Sequence, residues 1–289
     1  MIQQDQIIIR RILPGDLHAV MRLSTEQGWN QTEKDWQLII ANPPNRCLLA
    51  EYHGKIIGTT AAMNYNNDVA WINMVLVDKD YRKHGISKSL LKNIFAELQH
   101  CKSIKLDATP AGQQVYNKFN FIDEYSISRM TCDSIKSMSS NPADDDLTEP
   151  ITLKHLPEIM AYDEQAFGAN RSSLIESLLK EFPNRAWMLK QNHVLTGLVL
   201  GRDGRRYQQL GPVMASTYTD AQILISKSLS HLKDKPIVVD VLNDKEDLIH
   251  WLRSIGFIKQ REFVRMYRGN NPFPGNKDKQ YLICGPEFG

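Results

Sequence analysis

The sequence is short of the features that mark several whole classes of protein. It has four cysteines in 289 residues. Cys47, Cys101, Cys132 and Cys284 are scattered, with no CxxC pair, so neither a disulfide scaffold nor a cysteine zinc site is indicated, and a reduced, cytosolic protein is expected. The formal net charge is only +2, too little for the electrostatic footprint of a nucleic-acid binder. No apolar run is long enough to cross a bilayer. The opening "MIQQDQIIIRRILPGD" has a short apolar run before two arginines, which suits a first strand better than a secretory signal. The eight histidines show no HExxH or other ligand spacing, so no metal is expected. No Ser/His/Asp or Cys/His set stands out for nucleophilic catalysis. What remains is an ordinary soluble composition, 42% apolar and 24% charged, in a chain comfortable for two domains.

The chain repeats itself. "PNRCLLAEYHGKIIG", from Pro44, matches "PNRAWMLKQNHVLTG", from Pro183. "ISKSLL" at Ile86 matches "ISKSLS" at Ile225, and the segments ending "SRM" at Met130 and "VRM" at Met266 correspond. Three matches in one order at nearly constant separation indicate a tandem duplication. Between the halves, residues 133–150 are rich in Ser, Asp and Pro without apolar periodicity, and read as a linker. The run Asp144-Asp145-Asp146 within it reads as solvated charge. The expected division is a first domain at 1–132, a linker at 133–150 and a second domain at 151–289.

In the first half, "PGDLHAVMRLSTEQ" predicts a helix, and "TEKDWQLIIAN" a second helix capped by Thr32. "CLLAEYHGKIIGTTAAMNY" predicts a hairpin turning at His53-Gly54, and "VAWINMVLV" a buried strand. Apolar residues at 86, 90, 91, 94, 95 and 98 form a helical stripe. "SIKLDAT", "AGQQVYNKFNF" and "IDEYSISRMTC" then predict strand, short helix and strand. Alternating strands and helices with hairpins indicate an α/β fold, a mixed and mostly antiparallel sheet flanked by helices in each half. The closing "KQYLICG" reads as a further strand docked on the second half.

The candidate chemistry lies in "VLVDKDYRKHGISKS", where a buried strand hands over to a helix. The first amides of a helix lack intrahelical partners and lie at the positive end of its dipole, a natural place for an anion. Gly85 permits close backbone approach or a positive φ. Arg82, Lys83, His84 and Lys88 surround the turn with donors, although a basic helix start is often just solvated, and His84 is equally a plain turn residue. A diphosphate suits such a loop.

The arrangement V-x-x-x-x-R-x-x-G-x-S, from Val77 to Ser87, resembles the acyl-CoA signature of the GNAT superfamily of N-acetyltransferases, with Ser87 where Gly or Ala is usual. "LDATPAGQQVYNKFNF" resembles that family's fifth strand and following helix, with Asn120 in place of a common glycine. The second half resembles a degenerate GNAT-like domain. The resemblance implies acetyl-CoA as donor, held by Arg82, Lys83, His84, Gly85, Ile86, Ser87 and Lys88. It implies that backbone amides of Val75, Leu76 and Val77 face the thioester and that Tyr116 is the general acid, the bland alternative being a half-buried structural tyrosine. The fourth-strand glutamate of some members is Trp71 here, so no base is assigned; a water chain ending at Asn73, Asp78 or Glu51 and direct capture of the rare neutral amine are the alternatives. Trp29, Trp36, Glu26 and Asp35 offer a cage for a cationic acceptor, with Trp36 equally suited to the core; Trp29 and Asn73 are the acceptor-site candidates.

The repeat places Ala221 opposite Arg82, Leu224 opposite Gly85 and Leu252 opposite Tyr116, so the second half lacks the loop and the acid. The expected activity is acetyl transfer to a primary amine of a small molecule or a protein, by direct attack in a ternary complex. The alternatives are a non-catalytic acyl-CoA sensor and a transferase that builds one site from both halves. Neither a membrane nor nucleic acid is expected as partner, and the oligomeric state is left open.

Overall fold

The structure is a computed structural model that describes residues 4–136, 147–232 and 235–289; the Asp144–Asp146 run lies outside them. The first half comprises β1 (Ile7–Arg11), α1 (Leu17–Glu26), α2 (Glu33–Ala41), β2 (Arg46–Tyr52), β3 (Lys55–Tyr65) and β4 (Val69–Val77). It continues with α3 (Ile86–Glu97), β5 (Ser103–Ala108), α4 (Pro110–Asn117) and β6 (Phe121–Cys132). The second half repeats this order as β7 (Thr148–Pro150), α5 (Leu156–Phe167), α6 (Ser172–Glu181), β8 (Trp187–Gln191), β9 (Val194–Arg202) and β10 (Gln208–Ala215). Then come α7 (Tyr218–Ser230), β11 (Ile237–Leu242), α8 (Glu246–Ser254), β12 (Ile258–Arg268) and one extra strand, β13 (Gln280–Leu282). β7 occupies the last three residues of the segment read as linker.

Local chemistry explains the element ends. Thr32 Oγ1 accepts from the Asp35 amide while the Asp35 carboxylate accepts from the Thr32 amide, a reciprocal cap on α2. His53 and Gly54 both have positive φ, which matches the twist of the tight β2–β3 hairpin, and Asn192-His193 does the same between β8 and β9. Tyr116 and Leu252 fall at equivalent places on α4 and α8, as the repeat predicts.

The halves are not two separate sheets. The described strands form one sheet in the order β1-β2-β3-β4-β5-β12-β6-β11-β13-β10-β9-β8-β7. β12, from the second half, lies between β5 and β6, and β6 in turn pairs with β11. Each half therefore lends its last strand to the other, and β6 and β12 form the central antiparallel pair. Among these neighbours only β4–β5 and β10–β11 run parallel. Apolar clusters fill both faces, one under α3 and α4, one under α7 and α8, and a larger one shared by α1, α2, α5 and α6. No helix among the described residues is long and apolar enough to cross a membrane.

Candidate active site

The site begins where β4 and β5 separate. They pair only at Val69–Trp71 with Ser103–Lys105, then diverge. On its other edge β4 bulges: Ala61 pairs with Asn73 and Thr59 with Leu76, so Met74 and Val75 together face Thr60. Met74 has φ +49°, and its carbonyl accepts from Thr59 Oγ1 at 2.8 Å. A bulge bends a strand and re-aims its polar groups. Here it leaves the β5 side of Val75, Leu76 and Val77 facing an open, V-shaped gap.

The cationic turn follows directly. Gly85 has φ +74° and precedes the first residue of α3. The first intrahelical bond runs from the Ser89 amide to the Gly85 carbonyl at 3.0 Å. The amides of Ile86, Ser87 and Lys88 thus have no intrahelical acceptor. Arg82, Lys83, His84 and Lys88 are exposed around them. Gln4 donates to the His84 carbonyl at 3.0 Å, and Arg82 bonds Gln27 and the Val77 carbonyl, joining the loop to α1 and β4. Free amides, a positive-φ glycine and surrounding cations fit the diphosphate of a CoA thioester, and the splayed strands fit its extended arm.

A cavity of about 180 Å³ continues the gap. Asn73, Met74 and Val75 of β4 form one wall, Ser87 of α3 and Val115 and Tyr116 of α4 another, and Trp29 and Gln31 approach from the α1–α2 loop. Tyr116 is buried, packs against Phe121 with ring centroids 5.7 Å apart, and has its pKa pushed up by burial. The remaining wall was not legible in the sequence. Its polar and C-terminal part includes Asp107 of β5, Arg129 of β6, Arg261 and Phe263 of β12, and Pro286 and Glu287 of the segment after β13. Four of these six come from the second half: the strand exchange brings Arg261 and Phe263, and the chain after β13 brings Pro286 and Glu287.

The polar wall is buried and largely paired. Asp107 takes both guanidinium arms of Arg265 at 2.9 Å, and Arg129 forms a similar fork with Asp240 at 2.7 and 2.8 Å. Burial raises the pKa of Asp107 and of Glu287. Segment 284–289 is threaded beside β4: Tyr65 donates to the Phe288 carbonyl, Trp71 to Pro286 and Asn73 to Glu287. Arg202 at the end of β9 holds this segment through the Cys284 carbonyl and Glu287, and reaches Asp35 of α2 at 3.0 Å. Asn30 side-chain bonds to the backbone of Arg206 and Tyr207 fix the α1–α2 loop on the second half.

For Trp36 the core alternative holds: it is fully buried and its Nε1 donates to Ser24. The cage carboxylates are used elsewhere, Glu26 on Arg22 and Asp35 on its helix cap and Arg202. Of the proposed cage only Trp29 lines the cavity, because the carboxylates are committed elsewhere. Asp78 pairs with Arg22 and Lys55, and Glu51 with Arg10, so neither belongs to the cavity wall; Asn73 does. The closing strand docks on the second half as β13, but residues 284–289 continue into the first.

The corresponding gap of the second half is filled. β10 and β11 pair at 208–210 with 237–239 and then part, and β13 enters between them. α7 starts earlier than α3, so Ala221 and Leu224 are buried inside a helix where the first half has its loop. Its start is capped by Thr217 Oγ1 and carries the buried carboxylate of Asp220, which repels an anion.

Comparisons with known proteins bear on the family and the doubled fold. The profile of the Acetyltransferase (GNAT) family matches residues 17–121, and that of an Acetyltransferase (GNAT) domain matches residues 159–282. A holothin acyltransferase of Pseudoalteromonas sp. is 24% identical over 81% of this chain and 78% of its own length. An uncharacterized N-acetyltransferase of Bacillus subtilis, YitH, is 26% identical over 84% of this chain and 85% of its own. In fold, a tandem GNAT protein from the clavulanic acid biosynthesis pathway superposes with a TM-score of 0.60 at 9% identity, over 90% of this chain and 98% of that one. Two GNAT profiles in one chain, on a doubled fold with one open gap, lead to one assignment: the chain belongs to the GNAT superfamily of acyl-CoA-dependent acyltransferases, as a tandem of two GNAT domains.

Proposed function

We propose that this chain is an acetyl-CoA-dependent N-acetyltransferase that acts on a primary amine by direct attack while both substrates are bound. The observation that carries the reading is the continuity of one open path: the loop at Gly85, the gap beside the β4 bulge, and the cavity that holds Tyr116. The donor supplies an activated thioester. Main-chain amides of Ile86, Ser87 and Lys88, with Arg82, Lys83, His84 and Lys88, hold its diphosphate. Amides on the free edge of β4, those of Val75 and Val77, face its arm and the carbonyl oxygen where negative charge develops, while the intervening Leu76 amide is turned toward β3.

The transfer forms a C–N bond and breaks the C–S bond. The sulfur takes its proton from Tyr116; burial keeps that phenol protonated across the working pH range, in the state a donor needs. The amine gives up its own proton. Trp71 stands where some relatives carry a carboxylate, and of the two cavity carboxylates Asp107 spends both oxygens on Arg265. Glu287 uses one oxygen on Arg202, and burial raises its pKa above the ordinary carboxylate value, so it is the acceptor of the amine proton in this reading.

The test is release of free thiol from acetyl-CoA by the full chain across an amine library. Tyr116→Phe is expected to lower kcat by roughly 100-fold with CoA affinity retained, the scale of a lost general acid. CoA binding with no thiol release from any amine would replace the enzyme by the sensor reading.

A further inference from the structure

The cavity wall is unevenly charged. Arg129 with Asp240 and Arg265 with Asp107 form closed pairs, each held by a two-armed fork. Two places do not balance. At one, the single cation Arg202 serves two carboxylates, Asp35 and Glu287. Beside it stands Asn73, whose Nδ2 donates to the Glu287 carbonyl at 2.7 Å, while its Oδ1 is buried without a partner. The Gln31 side-chain oxygen, from another cavity residue, is also buried and unpartnered. Buried acceptors without donors are rare and call for an explanation.

At the other place, Arg261 on β12 lies directly across from Arg129 on β6. Like charges at directly opposed positions of neighbouring strands are unfavourable. Arg129 has Asp240, whereas Arg261 has no ion pair among the described residues, only a 3.3 Å bond to the adjacent Gln260 side chain. Burial and the neighbouring Arg129 both depress its pKa. A partly buried cation held against another cation, on the wall of a cavity, is a ready site for an anion, and a guanidinium can bind a carboxylate with two parallel bonds.

We infer that the acceptor is a primary amine that also carries an anionic group, foremost a carboxylate, with its amine at Asn73 and Glu287 and its anion on Arg261. This rests on reading the cavity as the acceptor site. The pattern selects an amino acid or similar zwitterion over a plain alkylamine. An amine lacking the anion leaves Arg261 without a partner, and unfilled polar sites are what make such discrimination large.

The experiment compares matched probes with acetyl-CoA: glycine, β-alanine and phenylalanine against their amides and decarboxylated amines, with phosphoethanolamine against ethanolamine to separate phosphate from carboxylate. Thiol release gives kcat/KM, and calorimetry on the CoA-loaded chain gives affinity. At least one carboxylate-bearing probe is expected to exceed its neutral partners at least tenfold in either readout. Arg261→Gln should erase that ratio and Arg261→Lys should keep part of it, with melting curves reporting that the variants are folded. Neutral probes equal to the acids, no binding or turnover of any anionic probe, or a ratio that survives Arg261→Gln would overturn the inference. A phosphate-only preference would overturn the carboxylate assignment. Arg261-dependent binding without thiol release would uphold the inference and sink the transferase reading; turnover confined to neutral amines would do the reverse.

Discussion

Replacing Gly85 by alanine isolates the backbone contribution of the loop proposed to hold the diphosphate. Gly85 has φ +74°, and a Cβ there would meet Gln4 Nε2 at 3.4 Å, an ordinary contact with the far end of a flexible side chain. The cost is therefore conformational, about 1–2 kcal/mol for an L-residue in the left-handed region. It can surface in two places. If the variant loop keeps its shape, the folded state loses that amount and CoA affinity holds. If the loop relaxes, stability holds and CoA binding must restore the shape, which weakens Kd by roughly 5- to 30-fold. Urea unfolding and calorimetric titration with CoA together should recover about 1–2 kcal/mol between them. Gly54→Ala serves as control. It has φ +76° in open space at the β2–β3 turn, carries the same strain, and should appear in stability alone. A Gly85→Ala chain unchanged in both measurements would mean that the left-handed turn carries no such cost.

Lys105 gives a pH-dependent prediction. It is buried, donates to the Phe273 carbonyl at 2.7 Å, and its pKa falls from 10.5 to about 8, chiefly through burial. Between those values the unfolded chain binds a proton that the folded chain does not, so folding gains as pH rises from 8 toward 10.5. Relative to Lys105→Met, the wild type should gain about 3 kcal/mol across that window in urea melts; a flat difference would contradict the assignment. The strand exchange predicts that residues 1–132 alone do not make a well-behaved monomer, because β12 is missing between β5 and β6. Adding residues 147–289 in trans should restore a soluble heterodimer on size exclusion; a stable monomer of 1–132 would count against the exchange. Glu287→Gln should lower kcat more than it raises KM and remove the acidic limb of the pH profile, while an unchanged limb would discharge Glu287 as base.

Much of this was legible because it is local. The reciprocal cap at Thr32, the hairpin at His53-Gly54, the strand Val69–Val77 and the positive φ of Gly85 all depend on neighbours in sequence. The duplication was visible as spaced matches. The exchange of β6 and β12 was not, because pairing a strand with its own half or with the other satisfies the same alternation. The cavity wall failed to show for the same reason: Asp107, Arg129 and Arg261 lie far apart in sequence and meet only through that exchange, and Glu287 joins them only because the chain after β13 threads back beside β4. Whether Trp36, Glu26 and Asp35 formed a cage or belonged to the core and helix surface could not be read from composition, which does not reveal that each already has a partner.

In the proposed function one of two duplicated gaps is open to a CoA thioester, while the other is closed by the chain's own β13. Calorimetric titration of CoA into the full chain measures this directly. One site per chain, weakened at least tenfold by Arg82→Ala and unaffected by substitutions at Thr217, is the predicted result. Two sites per chain, or a single site indifferent to Arg82, would contradict it.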